Sequence, residues 1–347
     1  MSYSQAMSTR QKVLSGSGGL SELSILSQIR SRAVGGGGVS LGIGDDCALL
    51  GVGAGEEMAI TTDLSIAGRH FRLEWHAPES VGHRALARGL SDLAAMGARP
   101  VAALLSLGLP RELTHAKGGA ASWISRFLDG LLALAETHNT PLAGGDLAEA
   151  PIPLADIVLV GAVPRGKALL RSGVRPGDLL YVTGCLGGSA AGLARLGELA
   201  AGSATKNLKI PPKLALGLAP HLYPQPRIAQ GLWLRKRGLA SAAIDLSDGL
   251  STDLAHLCAE SGVAAEVDAA LLPLHAGATL VQALNGGEDY ELLFTAPPSA
   301  RIPRAIAGVA VTRIGRMLRP RKGRPLVSLH TGKGSQPLEP QGWEHFS

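Results

Sequence analysis

Strand-like apolar runs alternate with amphipathic helical segments along the chain, and a Gly-, Pro- and Arg-rich stretch at 164–178 interrupts this alternation near the middle. In the first half, 57–68 and 101–110 have the composition of strands, while 78–97 and 121–138 have the apolar spacing of helices. The second half repeats the pattern. Because such alternation is typical of sheets covered by helices, it predicts an α/β or α+β protein.

The interrupting stretch is the predicted boundary between two domains. A chain of 347 residues with 46% hydrophobic content is long enough to form two cores. We assign residues 21–165 to an N-terminal domain and residues 166–347 to a C-terminal α+β domain. Residues 1–20 are rich in Ser and Gly, and we expect them to form a disordered extension. The last forty residues are expected to consist mostly of loops.

Composition and charge argue against several classes of protein. The cysteines at positions 47, 185 and 258 are far apart, which disfavours zinc sites and disulfides and fits a reducing cytoplasm. We find neither a signal peptide nor a window of the roughly 20 apolar residues that a membrane helix needs. The net charge of +5 is widely spread. Its densest run, at 319–325, lacks aromatic residues, so we interpret it as a surface loop and not as a nucleic-acid contact.

Acidic residues recur beside small residues and without an adjacent basic partner. They are Asp45 and Asp46 in LGIGDDCALL, Asp63 where the first strand is predicted to enter a loop, Asp92 on a helix, Asp146 in a predicted Gly-Gly turn, and Asp245 and Asp248 in AIDLSDG. Because an unpaired buried carboxylate is costly, these residues either cap turns and helices or bind a cation. Together they form the set of oxygen ligands that Mg²⁺ prefers, and Thr61 and Thr62 can add hydroxyl or carbonyl oxygens.

The usual nucleotide motifs are missing. The chain contains neither G-x-x-x-x-G-K-[ST] nor G-x-G-x-x-G, and no H-E-x-x-H. Arg171 and the glycine turns can still hold phosphate charge through guanidinium and backbone N–H groups. The residues by themselves therefore predict a magnesium-dependent enzyme that acts on phosphates.

Eight ordered motifs carry a resemblance to a known family: GIGDDCALL, TTDLSIAGRHF, LSDLAAMGARP, GGDL, RSGVRPGD, YVTG, AIDLSDGLSTDL and GGEDYELLF. From about residue 21 to 346, the chain resembles the thiamine-monophosphate kinases of the aminoimidazole ribonucleotide synthetase superfamily. The resemblance implies the two-domain fold of that superfamily. It also implies an N-terminal α/β domain that dimerises through its sheet and binds ATP near the dimer interface, followed by an α+β domain.

The motif matches imply a role for individual residues. The implied magnesium ligands are Asp46, Thr61, Thr62, Asp63, Asp92, Asp245 and Asp248, of which Asp46, Asp63 and Asp248 are the implied catalytic residues. The implied ATP contacts are Gly145, Asp146, Arg171 and Ser247. The implied contacts to thiamine monophosphate are His70, Glu288 and Trp343.

The resemblance also implies the reaction, which is transfer of the γ-phosphoryl group of ATP to thiamine monophosphate. A phosphate monoester has its second pKa near ~6, so the acceptor oxygen is already mostly anionic and no general base is required. Catalysis then depends on positioning and on metal ions that offset repulsion. The implied cofactor is Mg²⁺ with ATP as co-substrate, and a monovalent cation is left open. We expect a cytoplasmic homodimer without nucleic-acid or membrane partners.

Two alternatives remain open at this point. The first is selenophosphate synthetase, another enzyme of the superfamily. A resemblance to that family would imply a reactive Cys or selenocysteine in the N-terminal glycine-rich segment, whereas residues 31–44 contain no Cys. A non-catalytic sensor of nucleotides or thiamine phosphates would keep the fold without turnover. The complete acidic set counts against a sensor, and turnover with ATP and Mg²⁺ separates the two.

Overall fold

The structure is a computed structural model that describes residues 22–33, 36, 38–43, 47–115, 121–202, 208 and 210–343. The predictions for Asp45 and Asp46 and for the extension at 1–20 lie outside these residues. Among the residues described, no helix is long and apolar enough to cross a membrane.

The N-terminal half is built on a four-stranded sheet. Its strands are β3 (Glu56–Ile66), β4 (Arg99–Leu109), β5 (Leu142–Glu149) and β6 (Leu154–Pro164), after helix α1 (Glu22–Arg32) and the small pair β1 (Val39–Leu41) and β2 (Leu49–Leu50). The order is β3-β6-β4-β5, in which β4 and β5 are parallel and the other neighbours antiparallel. Helices α2 (Pro78–Ala95) and α3 (Trp123–Thr137) pack in one core with the inner face of this sheet.

Helix α2 is the central element of the molecule. Pro78 starts it at a position where a missing N–H costs nothing, and Leu86, Leu90 and Leu93 are fully buried. The helix lies very close to α3, because a Cβ added at Gly82 would lie 1.9 Å from the carbonyl oxygen of Phe127. Burial on nearly every side leaves α2 in contact with both halves of the chain.

The C-terminal half is built on an eight-stranded sheet. Its strands are β7 (Leu179–Thr183), β8 (Ala242–Asp245), β9 (Ala264–Asp268), β10 (Leu292–Ala296), β11 (Ala305–Ile306), β12 (Val309–Leu318), β13 (Val327–Thr331) and β14 (Gly334–Pro337). The order is β14-β13-β9-β12-β7-β10-β8, with β11 paired to β12. Its helices are α4 (Gly188–Ala201), α5 (Ala215–Leu222), α6 (Ile228–Arg237), α7 (Leu250–Ser261) and α8 (Leu280–Asn285).

The two faces of the second sheet join different cores. Leu292 and Phe294 of β10 belong to the core that also contains α2, α3 and the first sheet. Leu293, between them, points to the other face and packs in the core that contains Leu254 and Leu257 of α7. The first core therefore spans both halves, and it brings the end of β8 next to α2.

Three local predictions are wrong. Thr61–Asp63 lie in the middle of β3 and not in a loop. The predicted turn at Gly144–Asp146 is part of β5, where Gly145 has a φ of +148° and a Cβ would lie 1.9 Å from the carbonyl oxygen of Leu105. The glycine serves a close strand contact instead of a turn. The last forty residues, expected to be mostly loops, contain β12, β13 and β14.

Candidate active site

Three carboxylates from distant parts of the sequence meet where the two halves join. Asp63 comes from the inner face of β3, Asp92 from α2, and Asp245 from the end of β8. The Thr61 hydroxyl donates a hydrogen bond to Asp92, and the Ser91 hydroxyl donates one of 2.7 Å to Asp245. We call Asp63, Asp92 and Asp245 the acidic cluster.

Burial of the acidic cluster changes its protonation. Removal from water raises the pKa of Asp63 to about 6 and that of Asp245 to about 7, and in both cases the neighbouring Asp92 raises the pKa further. Burial also raises the pKa of Asp92, against the opposing effects of the Thr61 hydrogen bond and the Arg171 and Arg88 charges. The cluster thus concentrates negative charge that only a cation or protons can balance.

Two arginines border the acidic cluster. The Nε of Arg88 lies 3.5 Å from Oδ1 of Asp63. Arg171 is exposed, yet it is close enough to lower the pKa of Asp92 and Asp245, and its carbonyl oxygen accepts a 2.8 Å hydrogen bond from Ser261. An exposed guanidinium beside buried carboxylates is well placed to pair with a phosphate group.

The acidic cluster fits a divalent metal by its chemistry. Within the part of the chain that the structure describes, no group of three or more His, Cys, Asp and Glu side chains is arranged to hold a metal ion. Two of the three carboxylates are engaged by hydroxyl groups instead. The donors are nevertheless hard oxygens, and burial with mutual repulsion favours a divalent cation among them.

The loop that contains Ser247 and Asp248 is held by its neighbours. The Asp253 carboxylate accepts hydrogen bonds from the backbone N–H groups of Asp248 (3.1 Å) and Gly249 (3.0 Å). The backbone N–H of Trp343 donates to the Asp248 carbonyl oxygen at 3.1 Å. The end of the described chain therefore places Trp343 directly beside Asp248.

Two predicted ATP contacts lie away from the acidic cluster. Asp63, Ile157, Leu105 and Gly145 form one row across the four-stranded sheet. Asp63 and Gly145 are therefore three strand spacings apart, roughly 14 Å. Asp146 is exposed, and its carboxylate accepts a hydrogen bond from the neighbouring Leu147 N–H.

Thr62 and Asp146 belong to the outer face of this sheet, opposite α2 and α3. Side chains alternate along a strand, so Thr62 points away from its neighbours Thr61 and Asp63. Its hydroxyl donates a 2.7 Å hydrogen bond to Asp156 on β6. The structure therefore does not bring the Thr62 side chain to the acidic cluster.

Two predicted thiamine contacts are linked by a residue that the sequence analysis missed. The guanidinium of Arg84 donates to both carboxylate oxygens of Glu288, at 2.8 and 2.6 Å, and to the carbonyl oxygen of His70 at 3.0 Å. The backbone N–H of Glu288 donates to the Ser247 carbonyl oxygen at 2.8 Å. The presence of Arg84 and Arg88 one turn apart, beside the apolar residues Leu86 and Leu90, was the available signal.

Most of the GGEDYELLF motif has a structural role. The Asp289 carboxylate accepts hydrogen bonds from the N–H groups of Gly187 (2.6 Å) and Ser189 (3.1 Å) at the start of α4. Glu291 is buried and paired with Arg227. Glu288 does not hold the N–H groups of α4, and 25% of its side chain is exposed and accessible to a ligand.

Comparison with known proteins gives a match over both halves. Residues 44–163 match the model for the AIR synthase related protein, N-terminal domain, and residues 175–327 match the model for its C-terminal domain. The chain is 41% identical over 321 residues to the thiamine-monophosphate kinase of Escherichia coli (strain K12), which covers 89% of this chain and 93% of the relative.

Solved structures agree with this match. The crystal structure of thiamine-monophosphate kinase from Stenotrophomonas maltophilia K279a has a TM-score of 0.74 and 37% identity, and covers 89% of this chain and 96% of that one. A structure of AaThiL complexed with AMPPCP and TMP has a TM-score of 0.71 and 30% identity, and covers 94% and 97%. These similarities extend over both sheets and over the junction that holds the acidic cluster.

Proposed function

This chain belongs to the thiamine-monophosphate kinase family, and we propose that the acidic cluster is the centre at which it transfers the γ-phosphoryl group of ATP to thiamine monophosphate. The reaction is the ATP-dependent phosphorylation of thiamine monophosphate, which yields thiamine diphosphate and ADP. The observation that carries the assignment is 41% identity to a kinase of this type over most of the chain. The placement of one buried carboxylate, Asp245, and two partly buried ones, Asp63 and Asp92, at the domain junction supports the position of the site.

The chain's own oxygen donors would hold Mg²⁺. We assign this role to Thr61 and to the acidic cluster, joined by Asp46 and Asp248, while Thr62 would take part only through its backbone. Bound there, Mg²⁺ supplies positive charge that offsets the repulsion between the two phosphate groups. A monovalent cation is a further proposed cofactor, which a comparison of K⁺ and Na⁺ salts tests.

The remaining residues bind and orient the two substrates. Arg171 pairs with the phosphates of ATP, and Ser247 contacts them from the loop beside Asp248. Glu288 and Trp343 face the cationic thiamine, for which a carboxylate and an aromatic ring are suitable partners, and His70 lies beside them. Because the acceptor phosphate is already mostly anionic at neutral pH, these residues need only to align it with ATP.

We propose that the active form is a homodimer. Met58, Ile60 and Leu64 on β3 are exposed on the outer face of the first sheet. The proposed ATP contacts Gly145 and Asp146 lie at the opposite edge of the same sheet. Pairing of two outer faces would cover the apolar residues and bring these edges near a second copy of the site. The free thiols at Cys47, Cys185 and Cys258 support a location in the reducing cytoplasm.

A chromatographic assay with thiamine monophosphate, ATP and Mg²⁺ tests the function and the site together. We expect wild type to produce thiamine diphosphate, and Asp63→Asn and Asp245→Asn to lose activity by roughly 100-fold or more. Asp178→Asn is the control matched to Asp245→Asn, because Asp178 is as buried as Asp245 but lies outside the acidic cluster. Absence of product from folded wild type contradicts the function, whereas active Asp63 and Asp245 variants contradict only the site.

A further inference from the structure

Arg84 is a buried cation whose hydrogen-bonding groups are almost fully used. Only 5% of the residue is exposed. One terminal nitrogen contacts Nε2 of His221 at 2.7 Å and Nε2 of His76 at 3.1 Å. The other donates to Glu288 and to the His70 carbonyl oxygen. Such a complete set of partners indicates a fixed position and not a mobile surface charge.

The partners of Arg84 belong to different parts of the molecule. His70 and His76 lie in the segment between β3 and α2, in the N-terminal half. In the C-terminal half, His221 lies in the last turn of α5, and Glu288 follows α8. The guanidinium of Arg84 therefore connects the segment between β3 and α2 with α5 and with the segment after α8, which are far apart in the sequence.

We propose that Arg84 is a positioning residue that assembles the thiamine-binding part of the site, by holding Glu288 and the His70 segment together across the domain junction. The inference rests on the proposed function, in which Glu288 and His70 contact thiamine monophosphate. Arg84 itself acts through these two residues.

Glu288 needs such support because its conformation is unfavourable. Its φ of +64° lies in the left-handed region, and Tyr290 two residues later has a φ of +49°. Non-glycine residues hold such angles only where the surroundings fix them. The carboxylate is three-quarters buried, so without Arg84 it would be a largely buried charge without its cation.

The two histidines complete the arrangement without adding charge. Burial, and then the charge of Arg84, lowers the pKa of His76 to about 4 and that of His221 well below its ordinary value. Both imidazoles are therefore neutral at physiological pH and can accept hydrogen bonds from Arg84. The positive charge of the guanidinium is left to pair with Glu288. A lysine, with one nitrogen, cannot reach all of these partners together.

The arginine also borders a small pocket. Its lining includes Ser65, His70, Phe71, Arg84 and Arg88. This pocket has room for about one water molecule and is too small for thiamine, so movement of Arg84 would affect ligand binding through the position of Glu288. That movement would alter binding of thiamine monophosphate more than binding of ATP, because Arg84 holds the carboxylate of Glu288, whereas the proposed ATP contact Ser247 meets only the backbone N–H of Glu288.

Steady-state kinetics of purified full-length Arg84→Met, Arg84→Lys, Glu288→Gln and the Arg84→Met/Glu288→Gln double variant test the proposal. We expect Arg84→Met to raise the KM for thiamine monophosphate about tenfold or more, since hydrogen bonds to charged groups have effects of this size. The KM for ATP should stay within about twofold, and Arg84→Lys should lie between wild type and Arg84→Met. The double variant should be little worse than the worse single variant, because both changes break one contact.

Arg126→Met is the matched control. Arg126 makes a similar two-bond pair with Glu79, at 2.7 and 2.8 Å, between α2 and α3. Its loss should lower thermal stability without changing the KM for thiamine monophosphate. An Arg84→Met enzyme with unchanged KM for thiamine monophosphate, or with equal changes for both substrates, overturns the proposal. If Arg84→Met does not fold, the same two criteria apply to Arg84→Lys. Inactive wild type would instead contradict the proposed function, before any variant is compared.

Discussion

At the scale of single residues, Ser91 has a defined role in the acidic cluster. Its hydroxyl is fully buried and donates to a buried carboxylate, that of Asp245. At about pH 8, where Asp245 is mostly ionised, Ser91→Ala should therefore lower the free energy of unfolding by about 1.5–3 kcal/mol, as expected for a hydrogen bond to a charged group. Ser80 is equally buried on the same helix, but its hydroxyl donates to the neutral carbonyl oxygen of Ala77. Ser80→Ala should cost about 0.5–1.5 kcal/mol. Equal losses in urea denaturation would contradict this difference.

Because of Asp289, we expect the free energy of unfolding to depend on pH. Burial raises its pKa to about 7, against the opposing hydrogen bonds from Gly187 and Ser189. Between about pH 4 and 7 the folded protein therefore retains a proton that the unfolded chain has released. Because the folded state binds more protons in this range, the free energy of unfolding falls as pH rises. Asp289→Asn cannot ionise, so we expect it to lose less stability than wild type between pH 5 and 8. Parallel urea midpoints for the two proteins at both pH values would refute this role of Asp289.

At the scale of elements, glycines set how closely the helices approach. A Cβ at Gly231 of α6 would lie 1.9 Å from the carbonyl oxygen of Ala94 at the end of α2, so Gly231→Ala should force α6 away. We expect a loss of about 1–3 kcal/mol, typical of overpacking. Gly217 of α5 is a matched control with open space around it, and Gly217→Ala should stabilise the protein by about 0.5–1 kcal/mol. The two changes should shift the melting temperature in opposite directions, and a Gly231→Ala variant as stable as wild type would show that the contact is not tight.

The elements also show what the sequence could and could not reveal. Apolar periodicity was sufficient to predict α2, α3 and β4, because each buries a continuous face. It failed at Gly144–Asp146, where the composition is that of a turn but pairing with β4 imposes a strand. It failed likewise at Thr61–Asp63, since β3 continues along β6 to Ile66. In both places pairing with a neighbouring strand determines the conformation, and the local sequence pattern does not indicate that pairing.

For the candidate site, too, the sequence predicted some features and could not predict others. Motifs alone named Asp92 and Asp245 as partners, and the structure brings both into the acidic cluster. They could not show that Thr62 and Asp146 belong to the outer face, because that depends on which side of β3 and β5 meets the helices. Nor could they reveal Arg84, whose importance depends on contacts with residues more than a hundred positions away.

At the scale of the whole molecule, α2 joins the two halves into one unit. Its residues take part in the acidic cluster through Asp92 and in the proposed thiamine site through Arg84, and both sites use groups from the second half. Separation of the halves would therefore dismantle both sites together. A shared core over this junction, rather than a flexible linker, is what allows carboxylates so far apart in sequence to keep fixed positions.

The outer face of the four-stranded sheet is the surface through which we expect two copies of the chain to dimerise. Ile60 is 63% exposed between Met58 and Leu64, an apolar row that a monomer would leave in water. If a second copy covers this row, Ile60→Glu should yield a particle of about half the mass by light scattering. It should also lose most of its activity, because Gly145 and Asp146 would no longer face a neighbouring site. Leu216→Glu on α5 is the control, since Leu216 is 87% exposed and lies away from this face. An active, monomeric wild type would show that the active site is complete in one chain, and an Ile60→Glu variant that keeps both mass and activity would show that this face is not the interface.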